Sequence, residues 1–345
     1  MAPHGLTKLI KLSFYSLVVV MMVMTHQTQG FRLGPLWRKK SKNVVIDPTP
    51  IGICASSVLV HGYKCQEIDV VTQDGFILNM QRIPEGRDGN GGGDGIKRQP
   101  VLIQHGVLVD GMTWLLNSPE QNLPLILADK GFDVWIANTR GTRFSRRHTS
   151  LKPNEHAFWN WSWDELVLFD LPAFVDHVQQ ETGQKMHYVG HSLWVKIYSP
   201  QISNLTGKNC CLNSSTVDLF LQNEPQSTAT KNMVHLAQTV RDGVLAKFNY
   251  GTADYNMMHY GEASPPVYNL SNIPHDLPVF LSYGGQDALS DIRDVQRLLD
   301  SFRAHDVDKL SVQYVREYAH ADFIMGVNAK DIVFNQVVSF FQHHT

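Results

Sequence analysis

Charge is scarce in this chain and neither sign dominates: charged residues make up 18% of 345, and the formal net charge is −2. That balance argues against a polyanionic partner. The one basic run, Arg140, Arg143, Arg146 and Arg147, reads as a solvated loop, so no nucleic-acid partner is expected. Cysteine is equally sparse. Cys54 and Cys65 stand 11 apart and Cys210 and Cys211 are adjacent, neither of which is a zinc-ligand spacing, so no metal site is expected. There is no internal repeat, and the loop from Gly86 to Gly95 is the one glycine-rich tract. Nor is there an apolar run long enough to span a bilayer. The 13 residues from Leu12 to Met24 fall short of the ~20 that a spanning helix requires.

What that run has instead is the layout of a secretory signal. Lys8 and Lys11 precede it, polar residues follow, and Thr28 and Gly30 are small residues suited to cleavage before Phe31. Residues 1–30 are therefore expected to be removed, leaving no transmembrane span. The mature chain is routed to the secretory pathway, either extracellular or to a vacuole or lysosome. In that oxidising setting Cys54–Cys65 is expected to close a small loop, whereas Cys210 and Cys211 are expected to find partners elsewhere. Asn160, Asn204, Asn213 and Asn269 head glycosylation sequons.

From residue 68 the hydrophobic period switches repeatedly. Asp69 to Thr72 and Phe76 to Met80, joined at Asp74-Gly75, predict an antiparallel hairpin. Short apolar runs at Pro100–Gln104, Phe132–Ala137 and Met186–Val189 predict buried strands, the first doubly covered, and further strands are read at Pro278–Tyr283 and Ser311–Val315. Helices are predicted between them at 123–130, 163–180 (kinked at Pro172), 292–305 and 329–343. Alternation of this kind builds a mostly parallel sheet covered on both faces.

The third strand runs into Gly190-His191-Ser192, the start of a G-x-S-x-G turn that exposes a serine between strand and helix. Such a serine requires a base and an orienting carboxylate, in the chain order Ser, Asp, His. Asp287 follows the 278–283 strand and His320 follows the 311–315 strand, so both fall on the rim that carries Ser192. Asp291 and Asp294 are rival carboxylates at the start of the next helix. His105 is a rival base, although its place before a loop favours a structural role. That loop, His105-Gly106-Val107-Leu108, is a candidate oxyanion loop, with the N–H of Leu108 or a neighbour pairing with that of Leu193.

These segments, together with Gly62-Tyr63, Asn138-Thr139-Arg140-Gly141, Trp163-Asp164-Glu165-Leu166, Gly284-Gly285-Gln286-Asp287 and His320-Ala321-Asp322-Phe323, resemble the acid lipases of the gastric and lysosomal type, and plant triacylglycerol lipases most of all. The resemblance runs in family order from about residue 50 to the C-terminus. It implies an α/β-hydrolase fold, a mostly parallel central sheet with a reduced cap subdomain. The core would comprise residues 31–199 and 271–345, with 200–270 as residual cap. It also implies Ser192 as nucleophile, Asp287 as orienter, His320 as base, Leu108 and Leu193 as oxyanion donors, and hydrolysis of neutral-lipid esters at a lipid–water interface without a cofactor.

The chain departs from the family pattern in two places. Trp194 stands where the elbow requires a second glycine, and the 95 residues from Ser192 to Asp287 leave no room for the strand and helix that family members carry after the elbow. The expected result is two apolar strand edges without a partner in mid-sheet. Were those edges to pair directly, the site would shift by about one strand spacing, ~4.8 Å. Alternatives to a secreted lipase are a shortened, inactive splice form or gene-model variant, and a short-chain carboxylesterase.

Overall fold

The structure, a computed structural model, describes the backbone of residues 16–20 and the full residues 52–87, 97–192 and 206–344. Among these, nine strands form one sheet: β1 (Ser16–Val20), β2 (Gln66–Val71), β3 (Phe76–Ile83), β4 (Pro100–Gln104), β5 (Asp133–Ala137), β6 (Arg147–His148), β7 (His187–His191), β8 (Val279–Gly284) and β9 (Leu310–Val315). The order is β2-β3-β5-β4-β7-β1-β8-β9, with β6 against β3. β2, β3 and β6 are antiparallel to their neighbours, and β5-β4-β7-β1-β8-β9 run parallel.

Side-chain alternation divides the core between the two faces. Val101, Ile103, Val134 and Ile136 point into one apolar cluster, with Trp114, Phe334 and Phe341. Leu102, Trp135 and Ala137 point into another, with Phe158, Phe174 and Val178. A strand buried on both faces has no polar side to present, and this accounts for the unbroken apolar runs in the sequence. The expected hairpin turns at Gly75, whose φ of +95° suits glycine, and Thr72 Oγ1 accepts the Phe76 N–H at 2.9 Å.

The helix expected over 163–180 forms in three pieces: one turn at Trp163–Glu165, a π-turn at Leu166–Asp170, and Leu171–Thr182. The pieces are continuous, and the π-turn lies just before Pro172, whose missing N–H removes a hydrogen bond from that stretch. The irregularity therefore precedes the proline. The helices expected at 292–305 and 329–343 are seen at Ile292–Ser301 and, after a π-turn at Lys330–Phe334, at Asn335–His343.

Two expectations are corrected here. The mid-sheet slot is filled: β1 pairs with all five residues of β7 and, through Leu17 and Val18, with Val279 and Phe280 of β8. This strand lies inside the run read as a secretory signal. A molecule cleaved before Phe31 cannot contain it, so β1 belongs to the uncleaved chain. The arginine run is not uniformly solvated either. Arg140 is 1% exposed and bridges Asp170 (Nη2–Oδ1, 2.7 Å) and Asp74 (Nη1–Oδ2, 2.7 Å), because the loop after β5 turns inward over the Phe76 ring.

Candidate active site

β7 delivers Ser192 in a left-handed conformation, φ +52°, which a residue with a side chain adopts at a cost of ~1–3 kcal/mol. This is the strained turn that Gly190-His191-Ser192 leads one to expect, although only the preceding side carries its glycine. The loop after β4 lies against it. A Cβ on Gly106 would come within 2.4 Å of the Ser192 carbonyl oxygen and 2.9 Å of its Cβ, so only glycine allows the approach. Two residues on, Leu108 is also left-handed, φ +61°.

His105 holds the inner end of this loop. Its Nε2 accepts the Thr139 N–H at 3.1 Å, so Nδ1 carries the proton and donates to the Gly106 carbonyl at 2.7 Å. Burial pushes its pKa down and keeps it neutral. Both ring nitrogens are committed, which leaves no base at His105.

β8 and β9 carry the other two residues. Asp287 Oδ2 and His320 Nδ1 are 2.9 Å apart, both side chains almost fully buried. The second oxygen, Oδ1, accepts the N–H groups of Leu289 and Ser290, each at 2.8 Å. An ionised carboxylate placed this way fixes a proton on Nδ1. His320 Nε2 is buried and has no hydrogen bond among the described residues. The rival Asp291 caps the helix that begins at Ile292, accepting from Arg293 and Asp294. Asp294 lies within that helix, paired with Arg297.

His191 closes the group, 4.7 Å from His320 between ring centroids, with its Nε2 on the His320 carbonyl at 3.1 Å. Burial, and then the neighbouring His320, push its pKa well down, so it adds no competing positive charge.

Residues 206–211 thread between the Asp287 and His320 loops. The Thr206 carbonyl accepts the His320 N–H at 3.0 Å, and Gly207 bridges to Asp287. A Cβ on Gly207, φ +94°, would sit 1.9 Å from the Gln286 carbonyl oxygen. Cys210 and Cys211 both donate their N–H groups to Asp322, at 3.2 and 3.1 Å, and Ala319 donates a third at 2.8 Å. Asp322 thereby ties this segment to the His320 loop, while burial pushes its pKa up.

Cys210 and Cys211 are bonded to each other, contrary to the expectation of separate partners, with Cα atoms 3.7 Å apart. Drawing both N–H groups onto one carboxylate turns the dipeptide so that its two thiols converge. The sulfurs approach Asp322 as a metal site would, yet a disulfide offers no thiolate ligand. Cys54–Cys65 forms as expected.

Asn160, Asn213 and Asn269 are exposed. Leu193, Trp194 and Asn204 lie outside the described residues. Reading the sequence site by site missed the roles of Gly207 and Asp322. The offset of Asp322, two residues after His320, was visible, but nothing in the spacing pairs it with residues 210 and 211.

Known proteins share this arrangement of segments. Residues 55–118 match the family model described as a partial alpha/beta-hydrolase lipase region. Triacylglycerol lipase 2 of Arabidopsis thaliana is 55% identical over 366 positions, covering 84% of this chain and 88% of that protein. The chain belongs to the acid lipase family. Gastric triacylglycerol lipase of Rattus norvegicus is 30% identical, with 81% of this chain and 88% of that protein covered. The fold is that of an α/β-hydrolase and the family is one of ester hydrolases. In the first alignment 84% of 345 residues, about 290, spread over 366 positions, so about 75 positions of the relative face no residue here. Among the described residues, no helix of this member is long and apolar enough to cross a membrane.

Proposed function

We propose that this chain is a serine hydrolase that cleaves neutral-lipid esters, triacylglycerols among them, through an acyl-enzyme. The observation that carries the reading is the 2.9 Å Asp287–His320 pair, with a buried Nε2 that has no hydrogen bond among the described residues, on the same rim as a left-handed Ser192. As Ser192 Oγ attacks the ester carbonyl carbon, His320 Nε2 takes its proton. The carbonyl oxygen becomes negative and is received by the N–H groups of Leu108 and Leu193. The adduct collapses, the C–O bond to the alcohol breaks, and His320 returns its proton to the departing oxygen. Water then attacks the acyl-Ser192 by the same route, releasing a carboxylic acid and the free serine. Asp287 stays ionised throughout and stabilises the imidazolium. The cycle uses no cofactor and no metal.

The substrate class is supported by the relatives named as triacylglycerol lipases. Entry to the secretory pathway is supported by the leader-like residues 1–30, and glycosylation by the exposure of Asn160, Asn213 and Asn269. A second reading has one observation in its favour: the strand that fills the sheet, β1, lies within the leader-like residues, so that cleavage before Phe31 would leave a mature chain inactive.

Fluorophosphonate labelling of the full chain, beside Ser192→Ala, tests the proposal. Labelling is expected in the parent and absent in the variant. A soluble, folded parent that takes up no label would overturn the reading. Comparing butyrate with oleate esters then separates a lipase from a short-chain carboxylesterase.

A further inference from the structure

The oxyanion loop is held at its inner end by His105, but its outer end is held by the cap. The helix Ser214–Asn223 ends at Glu224, and the next three residues run alongside the loop. The Gln226 N–H donates to the Leu108 carbonyl at 2.7 Å. Glu224 Oε1 accepts the Asp110 N–H and the Thr113 hydroxyl, both at 3.2 Å. The left-handed residue is thus bracketed by two cap hydrogen bonds, one at its own carbonyl and one two residues on. Gln226 also spans to the neighbouring loop, where its Oε1 accepts the Arg143 N–H at 3.0 Å.

We infer that Glu224 and Gln226 are positioning residues for the oxyanion loop, holding the turn at Leu108 from the cap side. The inference rests on the ester-hydrolase reading, in which the Leu108 N–H receives the developing charge.

Glu224 is 7% exposed and its second oxygen, Oε2, is buried without a hydrogen bond among the described residues. The charged groups around it are few. Asp110, fully buried, faces it from the loop, and Arg143 reaches Asp110 from the far side, Nε to Oδ2 at 2.8 Å. That guanidinium pairs with Asp110 and leaves the Glu224 carboxyl without a cation of its own among the described residues. Burial first, then Asp110, pushes the Glu224 pKa up to about 8, so the acid is neutral where a lipase of low pH would work. Its ionisation above that value sets two carboxylates against each other across the bond that holds Asp110. The clamp weakens, and the turn at Leu108 with it.

The test compares the full chain with Glu224→Ala and Glu224→Gln, using p-nitrophenyl butyrate hydrolysis from pH 5 to 10 and hydrogen exchange of the peptide over residues 106–115. Glu224→Ala is expected to lower kcat ~10-fold or more with a smaller change in KM, and to speed exchange. Glu224→Gln, which cannot ionise, is expected to recover most of that loss and to keep activity above pH 8, where the parent declines. An alanine variant within twofold of the parent in kcat and exchange, or a glutamine variant with the parent's alkaline limb, would overturn the inference. Should the alanine variant not fold, the alkaline limb of Glu224→Gln decides alone. If even the parent neither turns over ester nor takes up fluorophosphonate, the hydrolase reading has failed. Exchange and melting then judge the clamp. The melting advantage of Glu224→Gln should grow from pH 5 to 8, because a carboxyl whose folded pKa is raised loses its stabilising contribution as pH rises through that window.

Discussion

On the β4 side of the sheet, β5, β4 and β7 pair over four or five residues each and sink into two large apolar clusters. On the β8 side, β8 meets the rest of the sheet through two residue pairs with β1, and Val279 and Leu281 enter a small cluster with Leu298 and Phe302. β9, the outer strand, leaves Val312 and Tyr314 half-exposed. Ser192 and the loop after β4 stand on the first half, Asp287 and His320 on the second. The candidate site therefore spans the seam. The lesson is that Ser192 and His320 are each well seated locally, while their relative position depends on what lies between β7 and β8 and on the 206–211 segment threaded across the rim.

Deleting residues 1–30 should break the comparison most completely. It removes β1 and leaves two apolar edges facing each other, a loss on the scale of the ~5–15 kcal/mol that holds a domain together. The expected product has no single cooperative melting transition by circular dichroism and no fluorophosphonate labelling. A truncated chain that melts and labels like the full one would mean that the halves join without β1.

Single substitutions sharpen the contrast. Asp170→Ala, on the first half, leaves Arg140 buried with Asp74 alone, and urea unfolding should register about 3 kcal/mol of lost stability. Labelling of Ser192 in the folded fraction should hardly change. Asp322→Ala, on the second half, strands three buried or half-buried N–H groups and should cost ~2–3 kcal/mol. Here labelling of the folded fraction should fall as well, since the His320 loop loses its tie. Equal labelling in the two variants would remove the distinction between the halves. The smallest effect is expected from Cys210→Ser with Cys211→Ser. Closing a ring between neighbours removes little chain entropy, so stability should change by about 1 kcal/mol, whereas opening the longer Cys54–Cys65 loop should cost nearer 3 kcal/mol.

Much of this was legible in the chain itself. Gly190-His191-Ser192 announced the elbow, and Asp287 and His320 were placed by the strands before them. The apolar runs of β4 and β5 announced burial on both faces. Less legible were contacts made across long sequence separation. Arg140 looked like one of four surface arginines until Asp74 and Asp170, 66 and 30 residues away, closed on it. Cys210 and Cys211 looked unlikely to pair until Asp322, more than a hundred residues on, turned their backbone. Glu224 had no motif at all, and its place beside Asp110 exists only once the segment after helix Ser214–Asn223 folds back on the loop after β4.

By itself, then, the sequence determined the alternating strands and helices from residue 68 onward that flank the site, the serine turn, and the carboxylate and imidazole due on its rim, because period, turn chemistry and chain order are local properties. Only the tertiary structure decided which strand lies between β7 and β8, which carboxyl groups are buried face to face, and which loop residues 224–226 meet. Those depend on free energies of burial and pairing between distant segments, and these come into being only when the sheet closes around them.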